Sequence, residues 1–102
     1  MKYLLRLYVA GSTARSRRAI ESLAEICDRE LAGRCEVEVI DVLEHPELAD
    51  EERVLATPAL LRRSPEPAKR IVGDLTDREA VVRALELPAS RPRGRAAAPE
   101  DA

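Results

Sequence analysis

The sequence predicts an α/β domain whose strands and helices follow one another in the order βαβαββα around a mixed four-stranded sheet. In the first half, an apolar run, an amphipathic helix and a second strand have the spacing of a parallel, right-handed βαβ unit. In the second half, an X-Pro turn precedes two short strands, interpreted as an antiparallel hairpin, and a last helix. A chain of 102 residues can build one modest core and not two.

The first strand is predicted within the stretch Tyr3–Gly11, where seven residues rich in leucine, tyrosine and valine follow one another almost without a polar break. A strand covered on one face would alternate apolar and polar residues, so we expect this strand to be covered on both faces. Gly11, Ser12 and Thr13 then end the strand and offer a hydroxyl that caps the next helix.

The first helix is predicted from Thr13 to Leu31, because its apolar residues recur at helical spacing and form one stripe. Charged residues fill the opposite face, and Gly33 suits a C-terminal cap. Cys27 lies on the apolar stripe, so we interpret it as a small core residue.

The second strand is predicted at Cys35–Val42, where Glu36 and Glu38 share one face and indicate a position at the edge of the sheet. A short acidic helix is predicted from Pro46 to Arg53, since proline suits the first helical position. The single histidine, at position 45, has no second ligand at metal-binding spacing, so we interpret it as a cap or loop residue.

The hairpin of the second half is predicted from strands at Ala59–Arg62 and Lys69–Val72, joined by the turn Ser64–Pro67. The last helix is predicted from Thr76 to Leu87, and Thr76 with Glu79 is interpreted as its capping box.

The carboxyl-terminal segment is rich in alanine, proline, arginine and glycine and shows no periodicity. We therefore expect a domain over residues 1–87 and a disordered tail over residues 88–102.

Composition argues against several classes of function. The net charge of −2 and the small number of aromatic residues, Tyr3 and Tyr8, give no reason to expect a nucleic-acid partner. No segment reaches membrane-spanning length, and Arg6 interrupts the only run that imitates a signal peptide, so we expect a cytoplasmic protein. Cys27 and Cys35 do not make a disulfide framework, and we expect both to be reduced.

The predicted element order is the plan of the thioredoxins, which also place a proline, usually cis, where Thr57–Pro58 stands. Thiol chemistry in that fold needs a low-pKa cysteine at the N-terminus of the first helix, beside a resolving thiol. That position here is the segment Gly11–Ser16, which contains no cysteine, and neither Cys27 nor Cys35 is placed to substitute. The sequence therefore predicts a thioredoxin-like fold without an active site, a metal or a cofactor.

Four separate segments, in the right order, resemble the KaiB circadian clock family: Leu7–Gly11, Val39–Val42, Leu55–Pro58 and Ile71–Glu79. The resemblance runs nearly without gaps from Tyr3 to about Leu87. It implies a regulator that is not an enzyme. Such a protein binds the ATPase ring of the clock kinase KaiC, sequesters KaiA and competes with a clock-output histidine kinase whose sensory domain is KaiB-like.

By this resemblance, the surface of the first helix and the edge of the second strand face the KaiC ring. Exposed arginines would make forked, charge-assisted bonds to carboxylates of the partner, and the strand edge is free to pair with a partner strand. The partner-binding residues that the resemblance implies are Arg18, Val37, Val39, Asp41, Arg53, Arg62 and Arg70.

The resemblance also implies two folds: a ground state with a rearranged C-terminal half, here a possible dimer or tetramer, and a thioredoxin-like monomer that alone binds KaiC. The residues implied for the switch region are Thr57, Pro58, Pro65, Pro67, Gly73, Asp74, Thr76, Glu79 and Ala84. Residues 78–87 are mostly strong helix formers, so we expect the thioredoxin-like state to predominate here.

The turn Ser64–Pro67, broken by a glutamate, and the short tail of mixed charge both depart from the family pattern. The alternative is therefore a divergent thioredoxin-like stress or redox-related adaptor without a KaiC partner.

Overall fold

The computed structural model describes residues 2–73 and 75–88. The elements in chain order are β1 (Tyr3–Val9), α1 (Ala14–Glu30), β2 (Cys35–Asp41), α2 (Pro46–Glu51), β3 (Ala59–Ser64), β4 (Lys69–Val72) and α3 (Arg78–Ala84). The described strands form one sheet in the order β2-β1-β3-β4. β1 pairs with β2 in parallel, whereas the β1–β3 and β3–β4 pairs are antiparallel. The predicted thioredoxin-like element order and mixed sheet are thus confirmed, and β2 lies at an edge as expected.

The main core lies between one face of this sheet and the two helices α1 and α3. Alternate residues of β1 point into it, because successive side chains of a strand face opposite sides. The buried residues of this cluster come from every layer: Leu5, Leu7, Val9, Ala19, Leu23, Ile26, Cys27, Leu31, Leu60, Leu75, Val81, Leu85 and Leu87.

The opposite face of the sheet is covered only near the carboxyl end of β1, where Tyr8, Ile40 and Ala59 form a second, smaller cluster. Toward the start of β1, Leu4 is 39% exposed. The expectation that β1 is covered on both faces is therefore wrong for its first half. The physical reason is length, since α2 has only six residues and shields one end of the sheet.

Arg6 also lies on this second face and explains how the buried phenol of Tyr8 is satisfied. Its Nη1 donates to the Tyr8 hydroxyl at 3.1 Å, and its Nε donates to Oε1 of Glu38 at 2.9 Å. These hydrogen bonds, the one with Tyr8 first, raise the pKa of Arg6 above its ordinary value. The arginine therefore stays charged and joins β1 to the edge strand β2.

The ends of α1 follow the predicted capping pattern. Thr13 is the N-cap, and its hydroxyl oxygen accepts from the backbone N–H of Ser16 at 3.1 Å. At the other end, Gly33 has a φ of 76° and donates its N–H to the carbonyl of Cys27 at 3.0 Å. This closed turn sends the chain directly into β2.

The start of α3 differs from the predicted capping box. The N-cap is Asp77, whose side chain accepts from the backbone N–H of Ala80 at 3.1 Å. A carboxylate in this position caps as well as a hydroxyl does and adds a favourable charge at the positive end of the helix. The helix also ends at Ala84, before the predicted Leu87.

A disulfide joins Cys27 to Cys35, whose Cα atoms are 6.3 Å apart. The expectation that both cysteines are reduced is therefore wrong in this structure, although Cys27 does lie in the main core as predicted. The pairing arises because the turn at Gly33 brings the first residue of β2 back against the last turn of α1. A count of cysteines cannot reveal that proximity.

Candidate partner-binding surfaces

An apolar groove of about 380 Å³ runs between α1 and the edge strand β2. We call it the α1–β2 groove; it is lined by Ile20, Leu23, Ala24, Cys27, Asp28, Gly33, Cys35, Val37 and Val39. Ile20, Val37 and Val39 are 40%, 41% and 44% exposed, which is high for large apolar side chains. Apolar side chains that share one groove beside a free strand edge are typical of an interaction surface.

The alternating sequence of β2 creates this groove. Val37 and Val39 face α1, whereas Glu36 and Glu38 face the other side of the sheet. There Glu36 meets Lys2 at 3.4 Å, and Glu38 meets Arg6. Natural edge strands usually carry charges that prevent pairing. Here Glu36 and Glu38 place charge on only one face of β2. The outer edge of β2 pairs with no strand in the described part of the chain.

Arg18 lies on the other flank of α1. Two helical positions correspond to a rotation of about 200°, so Arg18 and the groove residue Ile20 point to opposite flanks of one helix. Arg18 lines a cavity of about 170 Å³ together with Arg15, Ala19, Pro58 and Leu75. Within residues 2–73 and 75–88, neither the Arg15 nor the Arg18 side chain has a hydrogen bond or an ion pair. Both guanidinium groups are available to a partner.

Asp41 has an internal role instead of the predicted partner contact. Its Oδ1 accepts from the backbone N–H of Gly11 at 3.0 Å and from that of Leu43 at 2.9 Å. The carboxylate therefore ties the end of β2 to the segment between β1 and α1. We expect it to position the groove strand and not to contact a partner.

Arg53 and Arg70 lie on the opposite side of the sheet from α1. Arg70 projects from β4 toward the end of α2, where its guanidinium donates to the carbonyl oxygens of Glu52 at 2.7 Å and Arg53 at 3.4 Å. The Arg53 side chain is exposed. Arg70 is thus already engaged within the protein, whereas the exposed Arg53 side chain has no hydrogen bond or ion pair within residues 2–73 and 75–88.

Arg62 is buried, with 4% of its surface exposed. Its guanidinium donates to the carbonyl oxygens of Pro67 at 2.6 Å and Glu86 at 3.2 Å. In this fold the Arg62 guanidinium is thus engaged within the protein, and its predicted contact with a partner stays a prediction. It holds the β3–β4 turn against the chain that leaves α3.

The residues of the implied switch region occupy the second half of the fold. The Thr57–Pro58 peptide is cis and leads into β3, and Pro65 and Pro67 lie in the β3–β4 turn. Gly73, at a φ of 109°, donates its N–H to the Pro58 carbonyl at 2.8 Å. Thr76 precedes α3, which contains Glu79 and Ala84. Asp74 lies outside the described residues.

The predicted site residues therefore do not form one patch. Val37 and Val39 mark one edge of the sheet and Arg70 the other, roughly 14 Å away across three strand spacings. Sequence reasoning also missed the disulfide that lines the groove. The signal available for it was the close spacing of the two cysteines around the turn at Gly33.

Comparison with known proteins identifies the family. The KaiB domain family matches residues 6–87, which is most of the chain. The chain belongs to the KaiB family. A circadian clock oscillator protein KaiB of Prochlorococcus marinus (strain MIT 9312) is 51% identical over 85 residues, covering 83% of this chain and 81% of that protein. The KaiB of Trichodesmium erythraeum (strain IMS101) is 49% identical, with shares of 83% and 82%. These relatives are named as clock oscillator proteins and not as enzymes.

Solved structures agree with the thioredoxin-like fold of this KaiB family member. The N-terminal domain of Synechococcus elongatus SasA matches with a TM-score of 0.68 and 27% identity, covering 84% of this chain and 85% of that domain. Mitochondrial thioredoxin 3 of Saccharomyces cerevisiae, in its oxidised form, matches with a TM-score of 0.66 and 17% identity, covering 83% and 77%. The second likeness concerns the fold alone. Among the described residues, no helix is long and apolar enough to cross a membrane.

Proposed function

We propose that this KaiB family protein is a cytoplasmic, non-enzymatic regulator that binds the ATPase ring of a KaiC-type clock kinase. The observation that carries the proposal is the α1–β2 groove beside the unpaired edge of β2. Main-chain hydrogen bonds along such an edge supply affinity, and pockets for alternate side chains supply specificity.

The two flanks of α1 together form the proposed contact with the ring. The helix is about 10 Å across, so one partner that covers it reaches both the groove and Arg18, which is unpaired among the described residues. A guanidinium without an internal partner offers its whole fork to a carboxylate, with no competing bond to break. We propose that Arg53 and Arg70 form a second contact surface. A partner would reach it by extending past the β4 edge of the sheet.

KaiA and the KaiB-like domain of a clock-output histidine kinase are the further partners that we propose. The fold shared with the SasA domain supports competition, because two proteins of one fold can present the same surface to one ring. We also propose that the protein switches between this fold and a ground state that is a dimer or tetramer.

We also propose that the protein does not catalyse thiol chemistry. The disulfide lies at the carboxyl end of α1, whereas a catalytic thiolate would need the positive, amino-terminal end. The Gly11–Ser12–Thr13 segment occupies that end. The sulfurs of this protein are thus badly placed to act on a substrate as nucleophiles.

Co-elution with an ATP-loaded KaiC ring tests the proposal, with two variants and a matched control for each. Arg18→Glu removes the unpaired charge, and its control is Arg63→Glu, an exposed arginine of β3. Val39→Lys places a charge at the groove, and its control is Leu4→Lys, an exposed leucine on the face of the sheet away from α1. We expect each test variant to weaken binding by about 2 kcal/mol, roughly 30-fold in Kd, and each control to bind like the parent.

A parent protein that does not bind the ring would overturn the proposal and favour the adaptor without a KaiC partner. Binding of the parent with equal loss in test and control variants would place the contact on another surface. Circular dichroism of every variant should match the parent, since all the substituted side chains are exposed.

A further inference from the structure

We propose that Cys27 and Cys35 are a site of reversible thiol–disulfide exchange, and that their state controls the shape of the α1–β2 groove. The two residues are eight positions apart and are joined in the structure. Both sulfur-bearing residues line the groove, next to Val37 and Gly33. The bond thus connects the last turn of the helix to the first residue of the edge strand.

The two sulfurs differ in accessibility, and this sets the direction of attack. Cys27 is buried in the main core, whereas Cys35 is partly exposed at the start of β2. An incoming thiolate from a dithiol reductant therefore attacks Sγ of Cys35. A mixed disulfide forms, and Cys27 leaves as a thiolate that takes up a proton.

The second thiol of the reductant then resolves the mixed disulfide and releases Cys35, which also takes up a proton. Overall, two electrons and two protons pass to the protein, and the reductant dithiol becomes a disulfide. Cys27 is a poor leaving group, because its thiolate would form in apolar surroundings at the negative, carboxyl-terminal end of α1. We expect exchange to be slow, as suits a site that responds to redox conditions and does not catalyse.

Reduction changes the groove without dismantling the sheet. The register of β1 with β2 runs from Tyr3–Cys35 to Val9–Asp41 and does not need the disulfide. The disulfide fixes the distance between α1 and the first part of β2. It lies next to a turn in which Ala32 and Gly33 both have positive φ. Once it is cut, Leu31 stays packed in the main core, but residues 32–36 lose their covalent tie to α1. They form an exposed turn and a strand end, where local opening is easiest.

The consequence for docking rests on the proposed function. A groove held open in one geometry costs less to organise on binding than a mobile one. We therefore expect the oxidised protein to bind the KaiC ring more tightly than the reduced protein, by about threefold or more.

The test uses the unmodified chain in both redox states and needs no substitution to fold. The protein is equilibrated in buffers of reduced and oxidised dithiothreitol, a dithiol, from fully reduced to fully oxidised, and its free thiols are counted by alkylation and mass spectrometry. Amide hydrogen exchange of residues 31–39 and thermal unfolding are then followed in the two end states. We expect two free thiols in the reduced protein and none in the oxidised one. Reduction should speed exchange at residues 31–39 about tenfold and lower Tm by roughly 10 °C.

The double variant Cys27→Ser with Cys35→Ser is the matched control, because it should resemble the reduced parent in every buffer. Two free thiols at all ratios of reduced to oxidised dithiothreitol would overturn the proposal, as would identical exchange of residues 31–39 in both states. If the oxidised and reduced proteins bound the ring equally, the disulfide would not control docking. A ring that binds neither state would contradict the proposed function, while the thiol count and the exchange data would still decide the present proposal.

Discussion

Arg62 shows how one side chain holds together two distant parts of the second half of this protein. Its planar fork reaches a carbonyl in the β3–β4 turn and another just beyond α3, a geometry that a lysine ammonium cannot reproduce. A neighbouring ion pair, Lys69 with Glu86 at 3.3 Å, joins the same two segments. These segments belong to the half that the proposed fold switch would rearrange, so Arg62 favours the thioredoxin-like arrangement.

Replacing Arg62 by methionine should therefore destabilise this fold. The variant keeps the apolar volume of the side chain but leaves the Pro67 and Glu86 carbonyls without their charged donor. Part of the loss is offset because a buried charge is removed, and we expect a net cost of about 2 kcal/mol. Urea unfolding measures it. The control Arg63→Met changes the exposed neighbour in the same strand and should stay within about 0.5 kcal/mol of the parent. Equal stability of the two variants would contradict this role for Arg62.

At the scale of elements, the short helix α3 depends on its ends and on its packing more than on its length. Seven residues are too few for a helix to be stable alone in water. Val81 and Leu85 bury their side chains completely in the main core, and Asp77 satisfies an N–H at the first turn. The packing of these residues would have to be rebuilt if this segment became a strand, because side chains then alternate between two faces.

The identity of the N-cap gives a prediction for this helix. Asp77→Ala should cost about 1 kcal/mol, because the Ala80 N–H loses its acceptor and the helix loses a favourable charge. Asp77→Ser retains a capping oxygen and should cost only a few tenths of a kcal/mol. Urea midpoints of the three proteins provide the measurement. If serine and alanine were equally destabilising, Asp77 would not act as the cap.

At the scale of the whole molecule, the sheet order leaves two unlike edges. The β2 edge carries the apolar groove, and the β4 edge carries Arg70 with its bonds to the end of α2. A partner at the β2 edge does not need to disturb the second half of the fold. The α1–β2 groove and the half proposed to switch are therefore separate parts of the molecule, whereas the Arg18 flank of α1 meets that half at the cavity lined by Pro58 and Leu75.

We predict that the protein in solution is mainly a thioredoxin-like monomer. Backbone chemical shifts should be helical across Arg78–Ala84 and extended across Ala59–Ser64 and Lys69–Val72, and size-exclusion chromatography should give a monomer. The physical reason is that α3 combines good helix formers with an N-cap, and that Val81 and the C-cap residue Leu85 are fully buried. Strand shifts across Val81–Leu85 with elution as a tetramer would show that the alternative fold predominates.

The sequence by itself determined the order of the elements, the parallel first half, the edge position of β2 and the family. Each follows from information that is local along the chain. Leucine and valine at period 2 or 3.6 specify strand or helix, and Glu36 with Glu38 marks an edge, whatever the rest of the chain does. The bounds of β4 were accordingly predicted to the residue, and β1 lies within the predicted stretch Tyr3–Gly11.

Only the tertiary structure decided which charged and sulfur-bearing side chains are available to a partner. From the sequence, Arg62 and Arg18 were predicted alike as partner contacts. In the structure, Arg62 donates to carbonyls 5 and 24 positions away, whereas Arg18 has no partner among the described residues. The internal bonds of Asp41 and the Cys27–Cys35 disulfide likewise depend on how segments separated in sequence meet. Periodicity reports which face of an element is apolar. Whether a polar group on that element is satisfied internally depends on distances that only the packed fold sets.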